Sequence, residues 1–172
     1  MTGEVERWIE RLGLQPHPEG GYFKENYRAD DTVGGTALPE RYGAKRSLST
    51  AIYYLLGPGD FSAFHRLRSD ETWHFYAGCS LTLHVIAPDG SYACPRLGLN
   101  LDAGDRPQQL VARDQWFAAE PVEPDGFTLA GCTVAPGFDM TDFELAERDA
   151  LTHAYPAHTE LIARLTRTGA SP

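Results

Sequence analysis

Between residues 46 and 135 apolar side chains recur at every second position in short runs, and glycine, proline and aspartate separate the runs. Period two is the mark of a half-buried strand. The runs cover 47–56, 61–67, 72–77, 81–87, 91–97, 109–112, 115–119 and 127–135, and Asp89-Gly90 between two of them is a hairpin turn signal. No helical pattern lies between them, so βαβ units are excluded. Evenly spaced short strands predict an all-β sandwich or barrel of jelly-roll type.

The flanks read differently. Val5, Trp8, Ile9 and Leu12 have helical spacing, and Gly13 marks the end of a helix over 4–14. Residues 15–21 hold two prolines and two glycines and predict an irregular turn before a strand over 22–27. Residues 30–45 are polar and glycine-rich and predict a mobile surface loop, a candidate cover for a pocket. After Pro136-Gly137, the Thr141–Glu144 spacing matches a capping box and predicts a helix carrying Phe143, Leu145 and Leu151. A last short helix is expected over 159–167. The expected organisation is one domain over 1–172, with the N-terminal helix at 4–14, the barrel at 20–137 and C-terminal helices at 141–167.

Composition narrows the function classes. The 172 residues carry a formal charge of −9 and only two lysines, which argues against nucleic acid or an anionic membrane as partner. Cys79, Cys94 and Cys132 are odd in number and lack C-x-x-C spacing, so free thiols in a reducing compartment are expected. The N-terminus has no apolar signal region, and no apolar run approaches the roughly 20 residues that span a bilayer. A cytoplasmic location is the expectation.

The candidate chemistry sits in residues 59–78, where His65, Glu71 and His74 lie within ten positions of one another. Such residues serve as metal ligands or as general acid/base groups. On strict alternation His65 and Glu71 can meet inside a barrel. His74 shares a face with Thr72 and Tyr76 and joins them only if a bulge breaks the alternation. His84 reads as an ordinary barrel position. His17, His153 and His158 are expected in surface or packing roles, and Cys132 as a small core residue.

The spacing Gly59-x5-His65-x-Leu67-x3-Glu71-x6-Gly78 resembles the first cupin motif, with Leu67 at the place of its second histidine. The stretch 111–117, matching the second motif, has no histidine. The blocks PHPEGGY at 16–22, RSLSTAIYYLL at 46–56, SDETWHFYAG at 69–78, RPQ at 106–108 and GCTVAPGF at 131–138 are similar to the cupin family catalogued as a domain of unknown function, cupin type five. The resemblance implies a double-stranded β-helix, a jelly-roll cupin barrel, commonly assembled as a homodimer, and brings no settled reaction.

Three readings follow. The first is a small-molecule enzyme for isomerisation, epimerisation or dehydration of a small polar, sugar-like or carbonyl metabolite. His65 is its base, Glu71 the group that orients the base, and His74 or a tyrosine the acid. The second is an enzyme dependent on a divalent metal (Zn, Mn, Fe or Ni) held by His65, Glu71 and His74. The third is a non-catalytic ligand-binding or storage-like protein. Tyr53, Trp73, Phe75, Gln108 and Trp116 are the candidate substrate-binding residues.

Overall fold

The structure, a computed structural model, describes residues 2–167. Its strands are β1 (Gln15–Pro16), β2 (Tyr22–Arg28), β3 (Thr32–Val33), β4 (Arg46–Ser47), β5 (Thr50–Leu56), β6 (Ser62–Leu67) and β7 (Glu71–Gly78). They continue as β8 (Leu81–Ile86), β9 (Tyr92–Ala93), β10 (Arg96–Leu97), β11 (Gln108–Val111), β12 (Trp116–Pro121), β13 (Thr128–Val134) and β14 (Phe143–Leu145). The α-helices are α1 (Thr2–Leu12), α2 (Arg148–Ala154) and α3 (Thr159–Arg164). The first main sheet runs β1-β2-β5-β13-β7-β11 and the second β10-β8-β12-β6-β14 with β9 on β8, while β3 pairs β4 in a small sheet of their own; all these strand pairs are antiparallel. The all-β jelly-roll expectation is thereby met. No helix among the described residues is long and apolar enough to cross a membrane.

Alternation sorts the side chains into three apolar layers. Tyr54, Leu56 and Trp73 of the first sheet meet Leu83, Val85 and Phe117 of the second between the sheets. On the outside of the second sheet, Phe64, Ile86, Trp116 and Ala118 are covered by Leu151, Ile162 and Leu165. On the outside of the first, Leu55 and Leu129 are covered by Trp8, Ile9 and Leu12 of α1, the expected amphipathic helix. Both faces of the sheets are therefore used, which explains why the strands read as apolar in both frames.

Two local expectations are corrected. Residues 143–145 form a strand, not the start of a helix. Asp139, not Thr141, caps this segment: its side chain accepts from the Thr141 amide at 2.9 Å and the Thr141 hydroxyl at 2.7 Å. Phe143 then pairs with Leu67 and Leu145 with His65, which satisfies the open edge of β6. Helix begins only at Arg148. The second correction concerns residues 30–45, which are pinned to the body. Tyr42 is buried. The Arg46 guanidinium donates to both Asp142 carboxylate oxygens at 2.7 Å and to the carbonyl oxygens of Tyr42, Ala44 and Lys45. None of residues 30–45 lines the cavity described next.

Candidate active site

A cavity of about 520 Å³ opens at one end of the sheet sandwich. Its inner wall comes from Tyr54, His65, Leu67, Glu71, Trp73 and Cys132. Phe138, Asp139, Met140 and Phe143 form a cover over it, and Glu25 and Arg28 stand on β2. Met140, Glu25 and Arg28 are exposed, whereas His65 and Glu71 are buried, so the charged and flexible groups mark the mouth and the titratable ones the floor.

A buried carboxyl, Glu19, arrives from the irregular turn before β2. Gly20 and Gly21 make this possible. Both have positive φ, 119° and 67°, and a Cβ on Gly21 would lie 2.5 Å from the Leu55 carbonyl oxygen. The chain thus passes against β5 and turns the Glu19 side chain inward. The turn is closed by hydrogen bonds from the Gly20 amide to the His17 carbonyl and from the Gly21 amide to Asp60 Oδ2. The Glu19 carbonyl accepts from the Ala63 amide at 2.8 Å, which ties it to β6 beside His65.

Glu19 Oε2 lies 3.2 Å from His65 Nε2, and Glu19 Oε1 accepts from the Ser62 hydroxyl at 2.9 Å. His65 Nδ1 is 2.8 Å from the Ala63 carbonyl oxygen and therefore carries a proton donated to it. The neutral ring then offers only a lone pair at Nε2, and a protonated Glu19 carboxyl can donate to it. Burial drives the pair this way: it holds His65 down at about 4 and raises Glu19. One proton is shared between the two groups and the pair is neutral. His17 Nδ1 accepts from the Glu19 amide at 3.3 Å and stands 3.5 Å from Glu19 Oε2, with burial lowering its pKa.

Glu71 stands apart from this pair on β7. Its Oε2 accepts from the Trp73 indole N–H at 2.9 Å. Burial pushes its carboxyl up to about 8, and any ionisation of Glu19 would add to the rise. Near neutral pH Glu71 is a carboxylic acid facing the cavity. Cys132 is no nucleophile, because burial pushes its thiol well above the usual range.

The family described as Cupin superfamily (DUF985) matches residues 6–146. The chain belongs to this family. Among solved relatives of this DUF985 cupin, protein SO0799 from Shewanella oneidensis is 40% identical with a TM-score of 0.86, covering 95% of this chain and 98% of that one. A hypothetical protein from Leishmania major is 35% identical with a TM-score of 0.85 and the same coverages. An uncharacterized yeast protein, YML079W from Saccharomyces cerevisiae, is 31% identical over 161 residues, 87% of this chain and 79% of its own. Oxalate decarboxylase shares the fold at 14% identity with a TM-score of 0.55.

Cupin metal centres need converging ligands, and the residues here do not supply them. His74 lies on the outer face of the first sheet, where Nε2 meets the Thr133 hydroxyl at 3.0 Å and Nδ1 accepts from the Gln108 amide at 3.1 Å. The register shift between β7 and β13 falls after His74, beyond Phe75, and so leaves the residue facing out. Leu67 lines the cavity in place of a ligand. No group of three or more His, Cys, Asp or Glu suited to a metal occurs among the described residues. The partner of His65 is Glu19, not Glu71.

The substrate-binding expectations divide by face. Trp73 lines the cavity. Tyr53 lies one residue out of frame: it packs outside with Tyr76, ring centroids 6.1 Å apart, while Tyr54 faces in. Trp116 likewise points outward, under the Arg66 guanidinium at 4.6 Å, and Phe117 points inward onto the His65 ring at 4.0 Å. Phe75 packs against the core beyond the cavity, and Gln108 is exposed beside His74. His84 is buried outside the barrel between Tyr92 and Glu120. Sequence reading missed His17, Glu19, Tyr54 and Phe143. The only available signal was a histidine and a glutamate fixed between prolines and a Gly-Gly pair.

Proposed function

We propose that this cupin is an enzyme that moves a proton next to a carbonyl group, the chemistry of isomerisation, epimerisation or dehydration. The observation that carries the reading is the neutral Glu19–His65 pair placed on one wall of the same cavity as a protonated Glu71. A carboxyl–imidazole pair and a separate carboxylic acid in one cavity are suited to the base and acid roles. The substrate carbonyl oxygen accepts a hydrogen bond from Glu71. The carbon-bound proton passes to Glu19 as the proton of Glu19 moves to His65 Nε2. Glu71 gives its proton to the carbonyl oxygen, so a neutral enol forms beside a Glu19 carboxyl, a His65 imidazolium and a Glu71 carboxylate. Ser62 and the Ala63 carbonyl keep the pair aligned.

Incubating the protein in D2O with a panel of small α-hydrogen ketones, aldehydes and hydroxyketones tests this. NMR is expected to show deuterium entering at carbon, and Glu19→Gln is expected to slow the exchange by about 10²–10⁴-fold, the usual worth of a positioned acid/base group. A Glu19→Gln variant exchanging at the full rate, or a panel that binds without exchanging, would overturn the catalytic reading.

A further inference from the structure

The lining holds four carboxyls, Glu19, Glu25, Glu71 and Asp139, and one guanidinium, Arg28. That guanidinium is already committed. Its Nε and Nη2 donate to the two Glu25 carboxylate oxygens at 2.9 and 2.7 Å, and Nη2 also donates to the Phe138 carbonyl oxygen at 3.1 Å. Asp139 beside it stays ionised, because the Thr141 hydroxyl and amide hydrogen bonds hold its carboxyl below the ordinary range. An incoming anion therefore meets one net negative charge at the mouth, that of Asp139 beside the Glu25–Arg28 pair, and no unpaired positive one. Deeper in, the walls are Phe23, Ile52, Leu67, Trp73, Val134 and Phe143. A ligand with hydroxyls all round would turn some of them against these apolar side chains without partners. At the floor, Glu71 is 7% exposed and its Oε1 has no hydrogen-bond partner among the described residues. Opposite the Glu19–His65 pair it is a directed polar group with a free oxygen, fitted to one carbonyl oxygen.

We propose that the cavity takes uncharged carbonyl compounds with an apolar body, and that the Glu25–Arg28–Asp139 cluster at its mouth acts as a charge filter against carboxylates and phosphates, with Glu25 the specificity-determining residue. This rests on the reading that the cavity is the ligand site, and it narrows the substrate from sugar-like metabolites to apolar ketones or aldehydes. Glu25 acts through Arg28: while the two are paired, the guanidinium has no net charge to offer. Replacing Glu25 removes one negative charge and releases the one cation of the lining.

The test uses a matched pair of probes, 4-phenyl-2-butanone and 3-phenylpropionate, which share a phenylethyl body and differ in bearing a ketone or a carboxylate. Dissociation constants are read at neutral pH and low salt by calorimetry, with no turnover needed. The wild-type protein is expected to bind the ketone at least tenfold more tightly, and 0.5 M salt is expected to narrow the ratio by screening the mouth. Glu25→Gln, on an exposed strand position, is expected to tighten the carboxylate at least fivefold and leave the ketone within twofold. Equal or tighter carboxylate binding by the wild type overturns the proposal, as does failure of both probes to bind or a Glu25→Gln ratio equal to that of the wild type. Deuterium exchange failing while the binding ratio holds would remove the catalytic reading and leave the filter standing.

Discussion

Replacing Glu71 by Gln should make the folded protein more stable at neutral pH while disabling it as an acid. The carboxyl is buried, and burial raises its pKa to about 8 from an ordinary value of 4.5. Between those two values the unfolded chain has released this proton and the folded chain still holds it. Folding then takes up a proton, and stability falls by about 1.4 kcal/mol per pH unit. The contribution is fully present below the unfolded value and is lost as pH rises through about 8. At pH 7 the accumulated penalty is about 3 kcal/mol, and the change between pH 5 and pH 8 is of the same order. The amide of the Glu71→Gln variant keeps an oxygen for the Trp73 indole N–H and carries no titratable proton. Urea unfolding of both proteins at half-unit intervals from pH 5 to pH 8 gives the difference in stability directly. Subtraction removes the groups common to both, including His65, whose lowered pKa acts in the opposite sense. The difference is expected to grow with pH in favour of Glu71→Gln. A difference that stays flat would mean that Glu71 titrates as it would in water, and the acid role assigned to it would fail.

Other substitutions test the remaining links. Arg46→Met removes both 2.7 Å hydrogen bonds to the buried Asp142 carboxylate and leaves it only Arg68 at 3.9 Å, so it should cost about 3 kcal/mol in urea unfolding and open residues 30–45 to limited proteolysis. Leu83→Ala removes a fully buried side chain between the sheets and should cost about 2–5 kcal/mol by the same measurement. His74→Ala touches neither the cavity nor its lining, so ketone binding should stay within twofold of wild type by calorimetry; a large loss would place His74 in the site after all.

Much of the fold was legible in the chain because strand and helix periods are local properties. The eight apolar runs appear as strands, with 47–56 divided into β4 and β5 and 91–97 into β9 and β10. The helical stripe of Val5, Trp8, Ile9 and Leu12 appears as α1. His65 and Glu71 were identified as inward-facing, and both line the cavity. Period two separates two faces but does not say which one is inside, and here both are covered by apolar layers. Alternation alone therefore favours Tyr53 and Trp116 as readily as Tyr54 and Phe117, and it is the latter two that face inward. The capping signal at Thr141 was real chemistry at the wrong scale, since the open edge of β6 recruits 143–145 as a strand.

What the sequence determined by itself was the jelly-roll class, the positions of its strands and two of its titratable groups. What only the tertiary structure decided was their partnership. Glu19 is 46 residues from His65 along the chain, yet the Gly20–Gly21 turn and the Ala63–Glu19 hydrogen bond bring its carboxyl to 3.2 Å. Burial then decides where the proton sits, and burial is a property of the closed sandwich, to which β6, β7, the 15–21 turn and the 138–143 cover all contribute.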